Sequence, residues 1–288
     1  MKNIFNLIIA AFTLVAATAC NTTIEDEFSV TVTIKAELAQ EFSRAQNFGK
    51  GQQVNILYYN IFDASNDKLL TDLCGSTEVL ADGSFKFSVE MLKGMQYDIA
   101  LWAQNKDTKA YTLNGSVVTL NTDKVLSNDD RRDAFFKFIP NFDASNPASS
   151  NAFSLTRPFA QLNAATKNSD LTAIEAAGIT KSSMTLNTYT KFDIAAGTVS
   201  GNMSSVTFAA NTMPFLNNEE IHEDYKYLSM NYLFAPEEQQ LLDVTFTLET
   251  DNAVVSTKQF HDIPLHRNFR TNIFGGLISD GEFMLNID

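Results

Sequence analysis

Few side chains in this sequence have the type and spacing that covalent or metal chemistry needs. There are three histidines, His222, His261 and His266. None lies in a helical HExxH arrangement or beside a cysteine pair at zinc spacing. Pro264 separates His261 from His266, so local sequence gives them no shared metal geometry. The densest polar cluster, Glu219, Glu220, His222, Glu223 and Asp224, carries oxygen atoms of the kind that bind calcium. It lacks the ordered spacing and the glycine of an EF-hand loop and reads as a solvated acidic turn. No GxSxG elbow, Walker loop or GxGxxG follows a strand pattern. Cys74 has no activating base nearby and reads as an inert, partly buried thiol. Asp129 and Asp130 adjoin, but a glycosidase needs two carboxyls converging in a cleft, which adjacency does not provide. Trp102, the single tryptophan, falls in an apolar alternation and reads as packing rather than as a sugar platform. The sequence therefore points to no catalytic residue, no metal site, no cofactor and no enzyme.

Cys20 is the exception. Lys2, an apolar run from Leu7 to Ala17 and the small residues Ala17-Thr18-Ala19 precede it. That order of basic start, short apolar stretch and small-residue site is an export signal, too short for a stable span. A cysteine directly after the small residues fits a lipoprotein signal, in which the thiol receives a diacylglycerol and becomes the first mature residue. Ala17-Thr18-Ala19 equally satisfies an ordinary signal-peptidase site. The chain has only two cysteines. With Cys20 lipidated, Cys74 has no intrachain partner, so an exported chain must rest on its core rather than on disulfides.

Removing residues 1–19 leaves 288 − 19 = 269 residues, enough for one large or two ordinary domains. The formal charge of −13 becomes −14 without Lys2, which works against nucleic acid and anionic lipid headgroups as partners. No second apolar stretch approaches the roughly 20 residues of a membrane span, leaving Cys20 as the expected attachment to the membrane.

The 23 phenylalanines and 8 tyrosines, with alternating valine and threonine, predict β structure. Residues 20–27 form a polar, acidic tether. Phe28, Val30, Val32, Ile34 and Ala36 then alternate with polar residues, the clearest period-two pattern in the chain. Further strands are expected over 54–62, 84–91, 96–103 and 111–120. The pattern lapses at 141–151, which places the domain boundary there. A second β series is expected over 153–162, 183–194, 199–209, 225–234, 241–249, 253–260, 263–277 and 282–287, with one short helix in 168–177. The predicted fold is all-β, two tandem β-sandwiches over 28–145 and 146–288 with at most one or two short helices. Pro158 and Pro264 are expected at strand starts or edges. Arg267 and Arg270, three apart, would point to opposite faces of a strand and form no common basic patch.

Several segments together resemble the fimbrillin-like lipoproteins of Bacteroidetes-type bacteria: the start through Cys20, Ala100-Leu101-Trp102-Ala103-Gln104, Arg132-Asp133-Ala134-Phe135-Phe136, Leu155-Thr156-Arg157-Pro158-Phe159-Ala160-Gln161-Leu162-Asn163, and the run from Ile263 to Gly275. The resemblance implies transthyretin-like sandwiches, export as a lipidated precursor to the outer membrane, and assembly with other fimbrial subunits by strand exchange. It implies a trypsin-like cut after Arg44, before Ala45, that releases the first strand so that a neighbour's strand can fill the groove. Lys50 is equally open to such a protease. The terminal strand 282–287 has no obvious appendage beyond it, so it is either the donated strand or the completion of the chain's own sheet. A surface lipoprotein that does not polymerise and binds a glycan or host protein through its loops is the alternative.

Overall fold

The computed structural model describes residues 28–39, 49–145, 151–214, 216–217, 224–278 and 283–287. The first strand, β1 (Ser29–Leu38), buries Val32, Ile34 and Ala36 and turns Thr31 and Thr33 outward, as strict alternation dictates. It pairs antiparallel with β5 (Phe85–Leu92) and parallel with β10 (Ala152–Leu155), which makes it the central strand of a three-stranded sheet. Facing it is a sheet of β2 (Ile56–Asp63), β3 (Lys68–Leu69), β6 (Gln96–Gln104) and β9 (Phe135–Asp143), with β4 (Gly75–Glu78) paired to β2. Leu57, Ile61, Phe85, Phe87, Ile99, Leu101 and Phe135 fill the space between the two sheets.

A hairpin follows, β7 (Tyr111–Asn114) and β8 (Val117–Leu120). Further on, β11 (Phe159–Lys167) leads to the one short helix among the described residues, α1 (Leu171–Ala176). Then come β12 (Lys181–Thr188), β13 (Lys191–Asp193), β14 (Thr198–Ser200), β15 (Ser204–Thr212), β16 (Leu216–Asn217), β17 (Tyr225–Phe234), β18 (Gln240–Glu249), β19 (Val254–Leu265), β20 (Arg270–Gly275) and β21 (Phe283–Ile287). One sheet runs β16-β17-β11-β20-β21 and its partner β15-β12-β18-β19. Leu162, Met184, Phe208, Leu233, Phe246 and Ile273 belong to the second core. The fold is all-β and built of packed sheets, as expected.

Several expectations change in detail: residues 183–194 divide into β12 and β13 in different sheets, and 253–260 and 263–277 become β19, which runs on to Leu265, and β20. Residues 111–120 are a hairpin rather than one strand, because Asn114-Gly115 turns the chain with Gly115 at φ +60°, a conformation glycine adopts without steric cost. Residues 153–162 divide into β10 and β11 in different sheets, broken at Pro158, which lacks the donor a central strand needs. Residues 199–209 divide at Gly201, with φ +76°. Sheet membership also crosses the 145/146 position: β10 joins the first sandwich, while β7 and β8 form a four-stranded sheet with β13 and β14. Pro158 directly precedes β11 and Pro264 lies in β19, at the edge of its sheet.

Trp102 sits where the sandwiches meet. β6 is buried on both faces: Ile99, Leu101 and Ala103 point into the first core, and Ala100 and Trp102 into the second. The indole lies 5.6 Å from the Tyr111 ring and 6.4 Å from Phe159 and Phe234, and donates to Gln104 Oε1 at 2.7 Å. It is a packed core residue with its polar edge satisfied.

Candidate functional site

Two features stand out: the seat of β1 and the charged cluster that fixes the chain after it. β1 is tied on both sides. Its register with β5 runs from Ser29↔Leu92 to Ala36↔Phe85, and with β10 from Lys35↔Ala152 to Leu38↔Leu155. Lys35 N–H donates to Asn151 O at 2.8 Å and Ala39 N–H to Leu155 O at 2.9 Å, while Asn151 Nδ2 donates to Thr33 O at 3.2 Å. Burying Val32 and Ile34 contributes on the order of 1.5–3 kcal/mol each. Without β1, an apolar slot and two rows of main-chain groups would lie open between β5 and β10.

Eleven residues beyond Leu38, the chain at Gly49–Gly51 is clasped by buried charges. Arg157 and Asp133, 2% and 1% exposed, form a bidentate pair at 2.8 and 2.9 Å. Arg157 Nη2 also donates to Gly49 O at 2.6 Å, and Gly51 N–H donates to Asp133 Oδ2 at 3.0 Å. The guanidinium stacks 4.3 Å over the Phe135 ring. Gly49 N–H and Tyr232 O–H both donate to Asp130 Oδ1, at 3.0 and 2.6 Å. Burial raises the Asp130 carboxyl above its ordinary range, and burial with the nearby Asp133 and Asp130 charges raises the Tyr232 phenol. Gly49 has φ +75°, and a Cβ there would come within 3.3 Å of Gln161 and 3.4 Å of Arg270. Both the conformation and the close approach require glycine.

Arg132 extends the network. Buried beside Phe208 at 4.5 Å, it donates to Leu126 O at 3.1 Å and to Tyr232 O, and its own carbonyl accepts from Tyr111 O–H at 2.7 Å. Burial raises the Tyr111 phenol. Charges removed from water are tolerated when the geometry satisfies their donors and acceptors. Buried except at Asp130, which is half-buried, this cluster orders backbone from both sandwiches.

The three longer motifs of the sequence interlock here. Phe136 and Thr156 exchange backbone hydrogen bonds at 2.8 and 2.9 Å; Asn268 N–H donates to Phe159 O at 2.7 Å and Gln161 N–H to Phe269 O at 3.0 Å. Arg267 donates to Gly197 O and Glu237 and lies 5.7 and 5.8 Å from the Phe136 and Phe192 rings. Arg270 is buried in register with Gln161. The two arginines thus serve separate contacts, as their spacing implied. Gly49 and Gly51 have no signal in the sequence, whereas Asp130 stands there only as half of an adjacent carboxylate pair and Gln161 only within a longer motif; the signal for the cluster is Asp133, set directly against the apolar run Ala134-Phe135-Phe136.

Cys20, Arg44, Ala45, Glu219, Glu220, His222 and Glu223 lie outside the described residues. Cys74 is free and partly buried, its thiol donating to Leu70 O at 3.3 Å. His261 pairs with Asp243 at 3.1 Å on the exposed surface, and His266 packs on Phe269 at 4.3 Å. Among the described residues no three His, Cys, Asp or Glu side chains group as metal ligands, and no helix is long and apolar enough to cross a membrane.

Several solved structures share this architecture. A candidate adhesin from Bacteroides ovatus aligns with TM-score 0.51 at 14% identity, covering 90% of this chain and 94% of that one. A candidate cell adhesion protein from Bacteroides uniformis aligns with TM-score 0.50 at 12% identity, covering 90% and 98%. The tip fimbrial protein Mfa3 from Porphyromonas gingivalis, truncated at its C terminus, gives TM-score 0.48 at 11% identity, covering 90% and 99%. At these identities the likeness to the two candidate adhesins is one of fold. No curated protein matches the sequence. Residues 21–288 match DUF6562, a family of unknown function, and the chain belongs to that family.

Proposed function

We propose that this chain is a fimbrillin-like cell-surface protein, a structural or adhesive component of fimbriae. On this reading a lipid on Cys20 holds it at the outer membrane, and β-strand complementation joins it to other subunits. The observation that carries the reading is the position of β1: a single N-terminal strand seated between β5 and β10 with Val32, Ile34 and Ala36 in the core. A cut after Arg44, before Ala45, would separate that strand from the clasp at Gly49–Gly51. Its departure would open a slot that another extended strand closes, restoring both hydrogen bonds and burial. We read the chain as tandem sandwiches over 28–145 and 146–288, with β10 packing on the first core and Trp102, β7 and β8 on the second. The fold shared with candidate adhesins supports a role at the cell surface.

Intact mass and N-terminal sequencing of protein recovered from its native cell surface, run beside a denaturant-resistance gel, test this. An N-terminus at Ala45 with a ladder of multiples is expected. A diacylated Cys20 without a ladder would overturn polymerisation and favour a permanently anchored protein that binds a glycan or host protein through its loops.

A further inference from the structure

The first sandwich is unfinished on one side even with β1 in place. Among the described residues its outer sheet has three strands and ends at β5, while the facing sheet has five. In an antiparallel pair, successive residues alternate between bonding the neighbour and pointing both main-chain groups away. Along β5 the even-numbered residues point away from β1. Leu80 N–H bonds Ser84 O at 2.7 Å, Thr77 Oγ1 bonds Lys86 O at 3.0 Å, and Leu92 N–H bonds Tyr97 O–H at 2.9 Å. The 2.9 Å contact between the Thr33 and Ser88 hydroxyls fits the close, non-hydrogen-bonded type of pair. Ser88 and Glu90 lie between these satisfied ends, and their outward main-chain groups have no partner among the described residues.

Alongside them is a cavity of about 1060 Å³, walled by Tyr59, Leu70, Leu73, Met91, Met95 and Tyr97. Phe28 and Leu92, 61% and 51% exposed, stand at its mouth. An apolar small molecule or acyl chain would fill the cavity but leave the main-chain groups of Ser88 and Glu90 unpaired. An extended polypeptide satisfies both requirements: its backbone pairs with β5 and alternate side chains, about 7 Å apart, enter the cavity. The methionines adapt to different side chains. The rim carries Asp72 and Glu90 against Lys68, which favours a basic residue on the incoming strand. A second copy of this chain fits less well, since its formal charge is −13 and its exposed apolar strand Phe283–Ile287 has no base.

We propose that the free edge of β5 at Ser88 and Glu90 is a strand-addition site for a partner protein's extended segment, with apolar residues at alternate positions and a flanking basic residue. The site is complete with β1 seated, so it stands independently of strand removal.

The test uses the full mature chain and the synthetic peptide acetyl-Lys-Leu-Gln-Phe-Gln-Leu-Lys-amide, with amide hydrogen exchange followed by NMR. Binding is expected to slow exchange at Ser88 and Glu90 at least tenfold. Ser88→Pro removes an outward N–H and the exposed Thr33–Ser88 hydroxyl contact while leaving the backbone ladder to β1 intact, a change tolerated at sheet edges. It is expected to weaken binding at least tenfold with the unfolding midpoint nearly unchanged. Leu73→Asp, on the cavity wall and packed against the first core, is expected to weaken binding as much while lowering the unfolding midpoint. Absence of binding at millimolar peptide, binding without protection at Ser88 and Glu90, or undiminished binding by both variants would overturn the proposal. Tighter binding of a peptide spanning Phe283–Ile287 would also overturn it, replacing the foreign partner with a second copy.

Discussion

The first and last strands of this protein are built in opposite ways. β1 has a partner on each side and a fully buried inner face. Among the described residues β21 pairs with β20 alone, and Phe283, Met284, Leu285 and Ile287 remain 43–47% exposed. A main contact of β21 with the rest of the fold beyond that ladder is the Phe260–Phe283 edge contact at 4.8 Å. Losing β1 would open a core, whereas losing β21 would uncover little that is now dry. A strand that leaves cheaply and carries apolar side chains can be offered elsewhere; a strand that leaves at high cost creates a site that must be refilled. The same sequence signal, a short apolar run, thus serves two physical roles according to how many neighbours it has.

Four measurements would break or sharpen that contrast. The largest effect is expected at the clasp beyond β1. Arg157→Ala strands the Asp133 carboxylate in the core and should cost about 3–5 kcal/mol in denaturant unfolding. A loss below about 1 kcal/mol would show that the chain after β1 is not held there. Ile34→Ala leaves a cavity under the centre of β1 and should cost about 3 kcal/mol by the same measurement. The matching change in the last strand, Leu285→Ala, should stay within about 0.5 kcal/mol, and equal losses at 34 and 285 would erase the contrast.

The fourth effect depends on pH. Because burial raises the Asp130 carboxyl above its unfolded value, the folded state favours its protonated form. The stability this brings is complete below the unfolded value and is lost as pH rises through the folded one. Asp130→Asn stays neutral and can still accept from Gly49 and Tyr232. It should therefore gain on the wild type as pH rises above the ordinary aspartate value of about 4, read as the difference of unfolding midpoints. A difference that does not move with pH would remove the burial argument.

Much of the fold was legible in the residues. The alternation from Phe28 onward gave β1, and Tyr225 to Phe234 was bounded as observed. Where the reading joined strands that are separate, the local turn chemistry was overlooked: Asn114-Gly115 is a hairpin turn and Pro158 breaks a ladder. The charged cluster was less accessible. Its motifs were visible as strings, but Asp133 and Arg157 meet only because β9 and β10 lie side by side, and Gly49 reaches Asp130 across 81 positions of sequence. Such contacts follow from topology, which period and composition do not encode. The free edge of β5 was hidden for the same reason, since a strand's own sequence does not state how many neighbours it has.

On the proposed reading β1 is a replaceable strand. Purified mature protein cut after Arg44 by a trypsin-like protease should be followed by size-exclusion chromatography with light scattering and intact mass. The account predicts loss of the fragment ending at Arg44 and appearance of multiples of the chain beginning at Ala45. A cleaved protein that keeps the fragment bound and stays monomeric would contradict it.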